Sequence, residues 1–124
     1  MKFYQCEKCK KIVGMIQKSA CPTMCCGEPM KEMVPNSTDA AAEKHVPVIG
    51  TEGNLVTVTV GSAAHPMLEE HYIMWIALES RQGMQRKALV PGGEPKAVFA
   101  LAPGDEPVAA YAYCNLHGLW EAKI

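Results

Sequence analysis

Near the end of this 124-residue chain a thiol and an imidazole stand three residues apart, in Cys114-Asn115-Leu116-His117. Both groups are costly to bury without a partner, so a Cys-x2-His within one tight turn suits a metal better than a packed core. Three other histidines complete the chain's set, each near a turn or a proline. They are His45 in Glu43-Lys44-His45-Val46-Pro47, His65 in Ala64-His65-Pro66-Met67, and His71 in His71-Tyr72-Ile73-Met74-Trp75. A lone histidine is ordinarily a satisfied core or surface residue; four of them beside turns, together with a Cys-x2-His, point to a shared site. One Cys and four His give one ligand more than a closed tetrahedral zinc site uses and one fewer than an octahedron holds. That count suggests an iron site with an open position.

The remaining five of six cysteines fall in the first 26 residues. Cys6-Glu7-Lys8-Cys9 is a Cys-x2-Cys knuckle, and Cys25-Cys26-Gly27 supplies a second pair, a strong signal for tetrahedral zinc or iron. Adjacent residues of an extended chain point in opposite directions, so Cys25 and Cys26 can share a metal only if the backbone turns sharply, which Gly27 assists. Cys21 also stands at a permissible ligand spacing from Cys25. The set Cys6, Cys9, Cys25 and Cys26 ranks first, with Cys21 as a spare. A disulfide knot is the alternative, disfavoured in the reducing cytoplasm where the chain is expected to reside.

These ligands need a scaffold. The length and a hydrophobic content of 48% accommodate one domain plus a very small module, the latter held mainly by its metal. The reading is an all-β protein with a metal-bound module over 1–35 and a β-sandwich over 36–124. Residues 34–42 form the linker, with a helix start at Ser37 or Thr38. Pro47 argues for an exposed loop or edge strand. From Leu55 onward the pattern has period two: Val56, Val58 and Val60 face one way, Leu55, Thr57 and Thr59 the other. Further strands are expected over 71–79, 85–90, 96–101, 108–113 and 119–123, separated by Gly- and Pro-rich turns. His65 then precedes a proline, His71 opens a strand, and Cys114 with His117 fills a turn.

A net charge of −1 and a pI near 6.4 leave no basic stripe for a nucleic-acid partner. The chain contains no apolar run long enough for a membrane span and no leader-like start, so a soluble cytoplasmic protein is expected. Attraction for a small anion must be local. Lys44, adjacent to His45, can supply it, although a lysine taken alone is usually just solvated.

The motifs just quoted resemble a known family. Cys6-x2-Cys9 followed by Cys25-Cys26 is similar to the desulforedoxin-type iron module. The segments around His45, His65 and His71, with Cys114-Asn115-x-His117-Gly118-x-Trp120, resemble superoxide reductase. In this order and over the whole chain they resemble the two-domain desulfoferrodoxins. The resemblance implies an immunoglobulin-like sandwich, with His45, His65, His71 and His117 equatorial to an iron, Cys114 axial, and the sixth position empty in the ferrous state. It implies a second metal, iron or zinc, on the four N-terminal cysteines, and a homodimer. The implied reaction is superoxide plus one electron plus two protons giving hydrogen peroxide, with re-reduction by a rubredoxin-like carrier. Backbone N–H groups near Leu116 and His117 would bond the axial sulfur. Lys44 would guide the anion and organise water for proton delivery, and Glu43 would close onto the vacant position once iron is ferric.

Two other classes compete. A zinc ribbon fused to a protein-binding sandwich explains the N-terminal cysteines but not the Cys-x2-His with its three histidine motifs. A pure electron carrier explains both metals, but its iron should not bind azide or cyanide.

Overall fold

Turn chemistry and period-two patterning build nearly every element of the chain, which a computed structural model describes over residues 1–124. It divides into two units, Met1–Val34 and Pro35–Ile124. In the first, β1 (Lys2–Gln5) and β2 (Ile12–Met15) form an antiparallel hairpin around the Cys6–Cys9 knuckle. A tighter hairpin joins β3 (Met24–Cys25) to β4 (Glu28–Pro29), and β5 (Lys31–Glu32) returns to pair with β1. Only Phe3, Cys6 and Met30 of this unit are buried, too few to hold strands this short. Its ion pairs, Lys2–Glu32, Lys8–Glu28 and Lys31–Glu7, are exposed and add little.

The second unit begins with one helical turn, α1 (Ala42–His45), and continues as seven strands. These are β6 (Pro47–Glu52), β7 (Leu55–Val60), β8 (Ile73–Ser80), β9 (Met84–Ala88), β10 (Lys96–Ala100), β11 (Pro107–Cys114) and β12 (Gly118–Lys123). They form two antiparallel sheets ordered β10-β7-β6 and β12-β11-β8-β9, the order of an immunoglobulin-like sandwich. Val56, Val58 and Val60 of β7 are buried, and with Ile76, Leu78, Phe99, Ala110 and Ala112 they form the core. Each large side chain there contributes about 1.5–3 kcal/mol through burial. The seam between β9 and β10 is closed by side chains: Gln85 donates to the Ala100 carbonyl at 2.9 Å and Lys87 to the Val98 carbonyl. No helix is long and apolar enough to cross a membrane.

Two local expectations are corrected. The helix begins at Ala42, not at Ser37 or Thr38, because the preceding segment is committed to the edge of β12. Asn36, at φ 59°, donates its backbone N–H to Leu119 O at 3.0 Å, and its carboxamide bonds both the carbonyl and the N–H of Glu121. The helix cannot run past His45, since Pro47 holds Val46 extended at φ −68°, ψ 123°. His71 does not open a strand. It closes a turn with Leu68 through paired backbone bonds of 2.9 and 3.1 Å, and β8 starts two residues later. Opposite β11 the partner of Tyr113 is Trp75, whereas that of Cys114 is Ile73, so Met74 is an extra residue on β8. This bulge turns Ile73 into the core beside Cys114 and leaves Met74 exposed.

Candidate metal centres

The N-terminal cluster forms where two turns meet. In the knuckle, the Cys9 N–H points at the Cys6 sulfur at 3.5 Å, and the Lys10 N–H bonds Cys6 O at 2.9 Å. In the β3–β4 hairpin, Cys26 and Gly27 both take positive φ, 52° and 77°, as a type I′ two-residue turn demands. The left-handed Cys26 breaks the alternation that would have sent its side chain away from Cys25. The four sulfurs of Cys6, Cys9, Cys25 and Cys26 lie within 4.8 Å of one another. Cys9 and Cys25 are 3.6 Å apart, Cys25 and Cys26 3.9 Å. Metal–sulfur bonds of about 2.3 Å in a tetrahedron put sulfurs about 3.8 Å apart, so the set fits zinc or iron. The Cys9 N–H brings the Cys6 thiol down to about 6. Facing Cys9 and Cys6, the Cys25 thiol is pushed up to about 12, and that of Cys26 rises for the same reason. Four thiolates cannot coexist here without a cation. Cys21 is exposed and outside the cluster.

The second cluster gathers at one pole of the sandwich. His45 ends α1, His65 follows β7, His71 precedes β8, and Cys114 and His117 flank the turn from β11 to β12. The four imidazoles make a closed ring. Neighbouring centroids are 4.6 Å (His45–His65), 4.8 Å (His65–His71), 5.1 Å (His71–His117) and 4.9 Å (His117–His45), each pair at a steep angle of 77–89°. His45 and His71, on the diagonal, are 6.5 Å apart and close to parallel. This is a square.

Hydrogen bonds decide which nitrogens face inward. His45 Nδ1 donates to Ala41 O at 2.8 Å and His65 Nδ1 to Pro66 O at 2.7 Å. A carbonyl only accepts, so both rings carry their proton on Nδ1 and present a bare Nε2. Those two Nε2 atoms lie 3.2 Å apart, and His45 Nε2 lies 3.1 Å from His117 Nδ1. Protonation does not relieve the clash of lone pairs. Burial holds His45 and His71 below the usual histidine range and His65 at about 4. His71 Nε2 is likewise buried with no hydrogen-bond partner. Metal–nitrogen bonds of about 2.1 Å at right angles separate neighbouring nitrogens by about 3.0 Å, so a first-row cation satisfies all these atoms at once.

Cys114 Sγ is fully buried and lies within 4.8 Å of the ligand nitrogens of His45, His65 and His71, and 3.8 Å from His117 Nδ1. Burial raises its thiol pKa, while the N–H groups of Leu116 and His117 on the sulfur pull the other way and favour thiolate. Trp120, which carries no role in the sequence reading, is buried under the site. Its ring stacks on His45 at 4.8 Å and its indole N–H donates to His117 O at 3.0 Å.

Glu43 and Lys44 are exposed on α1. The positive charge of Lys44 is felt at His71 and the negative charge of Glu43 at His45. The turn that carries them is fixed from beneath: Ala63 N–H and the Ser62 hydroxyl both donate to Glu43 O, at 2.9 and 3.3 Å. Gly61 lies so close that a Cβ there would sit 2.5 Å from Glu43 O. Sequence reasoning missed Gly61 and Asn115. Gly61 showed only as a glycine directly after a buried strand, and Asn115 stood inside the quoted Cys-x2-His motif without a role attached to it.

The sequence profile described as Desulfoferrodoxin matches residues 37–123. The chain is 49% identical over 122 residues to a desulfoferrodoxin homolog of Archaeoglobus fulgidus, covering 98% of this chain and 96% of that one. It is 45% identical to the desulfoferrodoxin of Syntrophotalea carbinolica, covering 99% and 96%. Among solved structures, the superoxide reductase from Treponema pallidum superposes with a TM-score of 0.83 at 40% identity, covering 98% of both chains.

Proposed function

The chain belongs to the desulfoferrodoxin family, and from that premise we propose that it is a superoxide reductase: superoxide takes up one electron and two protons and leaves as hydrogen peroxide. The observation that carries this reading is the square of imidazoles in which the bare Nε2 atoms of His45 and His65, the unpartnered Nε2 of His71 and the Nδ1 of His117 converge beside the Cys114 sulfur. Iron held by His45, His65, His71, His117 and Cys114 would supply the electron and one open position for the small anion.

The chain's own residues do the rest. The imidazoles would hold the metal as neutral donors, adding no negative charge to repel an anion. The N–H groups of Leu116 and His117 stabilise Cys114 as thiolate. Lys44 draws the anion toward the site and holds water for proton delivery, a role supported by the reach of its charge to His71. Glu43, one residue away, would offer its carboxylate to the open position of an oxidised iron.

The proposal extends to the whole protein. Residues 1–35 act as a desulforedoxin-like module with a second iron, or zinc, on Cys6, Cys9, Cys25 and Cys26, and residues 36–124 as the catalytic, neelaredoxin-like domain. The protein works as a cytoplasmic homodimer re-reduced by a rubredoxin-like carrier. Metal analysis with optical spectra before and after oxidation tests the core of this. Two metals per chain, with a broad thiolate-to-iron band appearing on oxidation, is the expected result. Zinc alone with no visible absorption would overturn it in favour of a protein-binding module.

A further inference from the structure

Neither His71 nor His117 has a ring aimed by a backbone carbonyl, and whereas His117 Nδ1 meets His45 and Cys114, His71 has no hydrogen bond to its ring at all. His45 and His65 are aimed by the carbonyls of Ala41 and Pro66, whereas His71 Nε2 is buried without a partner. Its ring packs edge-on against those of His65 and His117, and its placement depends on where the backbone holds its Cα. We propose that Asn115 is the positioning residue that fixes this, gripping the peptide groups on both sides of His71 and tying them to the turn that bears Cys114 and His117.

Asn115 Nδ2 donates to Glu70 O at 3.1 Å, and Oδ1 accepts from the Tyr72 N–H at 3.0 Å. The Glu70 carbonyl belongs to the peptide unit before His71, and the Tyr72 N–H to the unit after it. Rotation about either backbone bond of His71 moves one of those planes against the other, and one carboxamide holds both. A third bond, from the Asn115 backbone N–H to Tyr72 O at 3.2 Å, fixes the same loop to the turn. Leu68 closes the loop on its far side through its paired bonds with His71. Asn115 is covalently next to Cys114 and two residues from His117, so three ligands become one rigid body. A donor and an acceptor on one short planar group are required: aspartate offers only acceptors and would turn a charge toward the Glu70 carbonyl.

The inference rests on reading the site as an iron centre, and the test separates the two ideas. Asn115→Ala and Asn115→Asp are compared with the unchanged protein and with Ser80→Ala, which removes a bond to Asp105 elsewhere in the sandwich. The readouts are iron retention against a chelator, the energy of the thiolate-to-iron band, and hydrogen exchange at the Tyr72 amide. Asn115→Ala is expected to lose about 10- to 100-fold in iron affinity, the usual effect of removing such support, to shift the band and to expose the Tyr72 amide. Asn115→Asp keeps that amide protected but shifts the band, and Ser80→Ala changes none of the three. If the unchanged protein takes up no iron, the functional reading falls. If it does, and both Asn115 variants match its affinity and band, Asn115 positions nothing and only this inference falls. Should Asn115→Ala fail to fold, Asn115→Asp decides alone, by its band.

Discussion

At His45 and His65, two bare nitrogens 3.2 Å apart can be reconciled by a cation or by a proton, and burial resists the proton. An unfolded histidine titrates near 6.5, whereas His65 in the fold titrates at about 4. Between those values the unfolded chain binds more protons, so the metal-free protein should lose stability as the pH falls from about 6.5 to about 4. Above that window pH should have little effect through this residue. The shift corresponds to on the order of 3 kcal/mol. Urea midpoints of metal-free protein measured across that range check it, and a flat profile would contradict the burial argument. Lys44 acts at the same scale. Replacing it with Ile should slow the second-order reaction with superoxide and flatten its dependence on ionic strength; pulse-radiolysis rates unchanged at low and high salt would rule out the guiding role proposed for it. The ligand residues could be nominated from their types alone, because thiols and imidazoles clustered at turns have few other uses. Asn115 could not, since its value lies in contacts to residues 43 and 45 positions away.

At the scale of elements, a one-turn helix with no side-chain cap has almost no intrinsic stability, and its position depends on what lies against it. Gly61→Ala would force a Cβ to 2.5 Å from Glu43 O and 2.9 Å from the Lys44 carbonyl carbon. The expected loss is about 1–3 kcal/mol from overpacking, read from the urea midpoint, with a slower superoxide reaction because Lys44 moves. A variant as fast and as stable as the parent would mean that α1 tolerates displacement. This element was misread in the sequence for a physical reason: Ser37 and Thr38 look like caps, but Asn36 had already committed the chain to the edge of β12. β7 was legible because its alternation needs no knowledge of its neighbours. The bulge at Met74 was not, because it is a relation between two strands.

At the scale of the whole molecule, the units differ in what holds them: the second has a core of its own, the first little beyond its sulfurs. Cys9→Ser should bleach only the tetrathiolate bands and make residues 1–34 sensitive to protease, while the second site keeps its iron and, with excess reductant, its activity; loss of activity would show that the first metal is needed for turnover. The two ligand sets also differ in how far apart they stand along the chain. Cys6 and Cys26 are separated by only 20 positions, whereas His45 and His117 are separated by 72. A nascent or unfolded chain can therefore capture a thiophilic ion with its first 26 residues, and the ion it takes is whichever is at hand. The histidine square does not exist until both sheets have closed, so the ion arrives last and is judged by a finished geometry. Protein made in zinc-rich medium should accordingly carry zinc at the cysteines far more often than at the histidines, and the two sites should record different moments in the life of the same molecule.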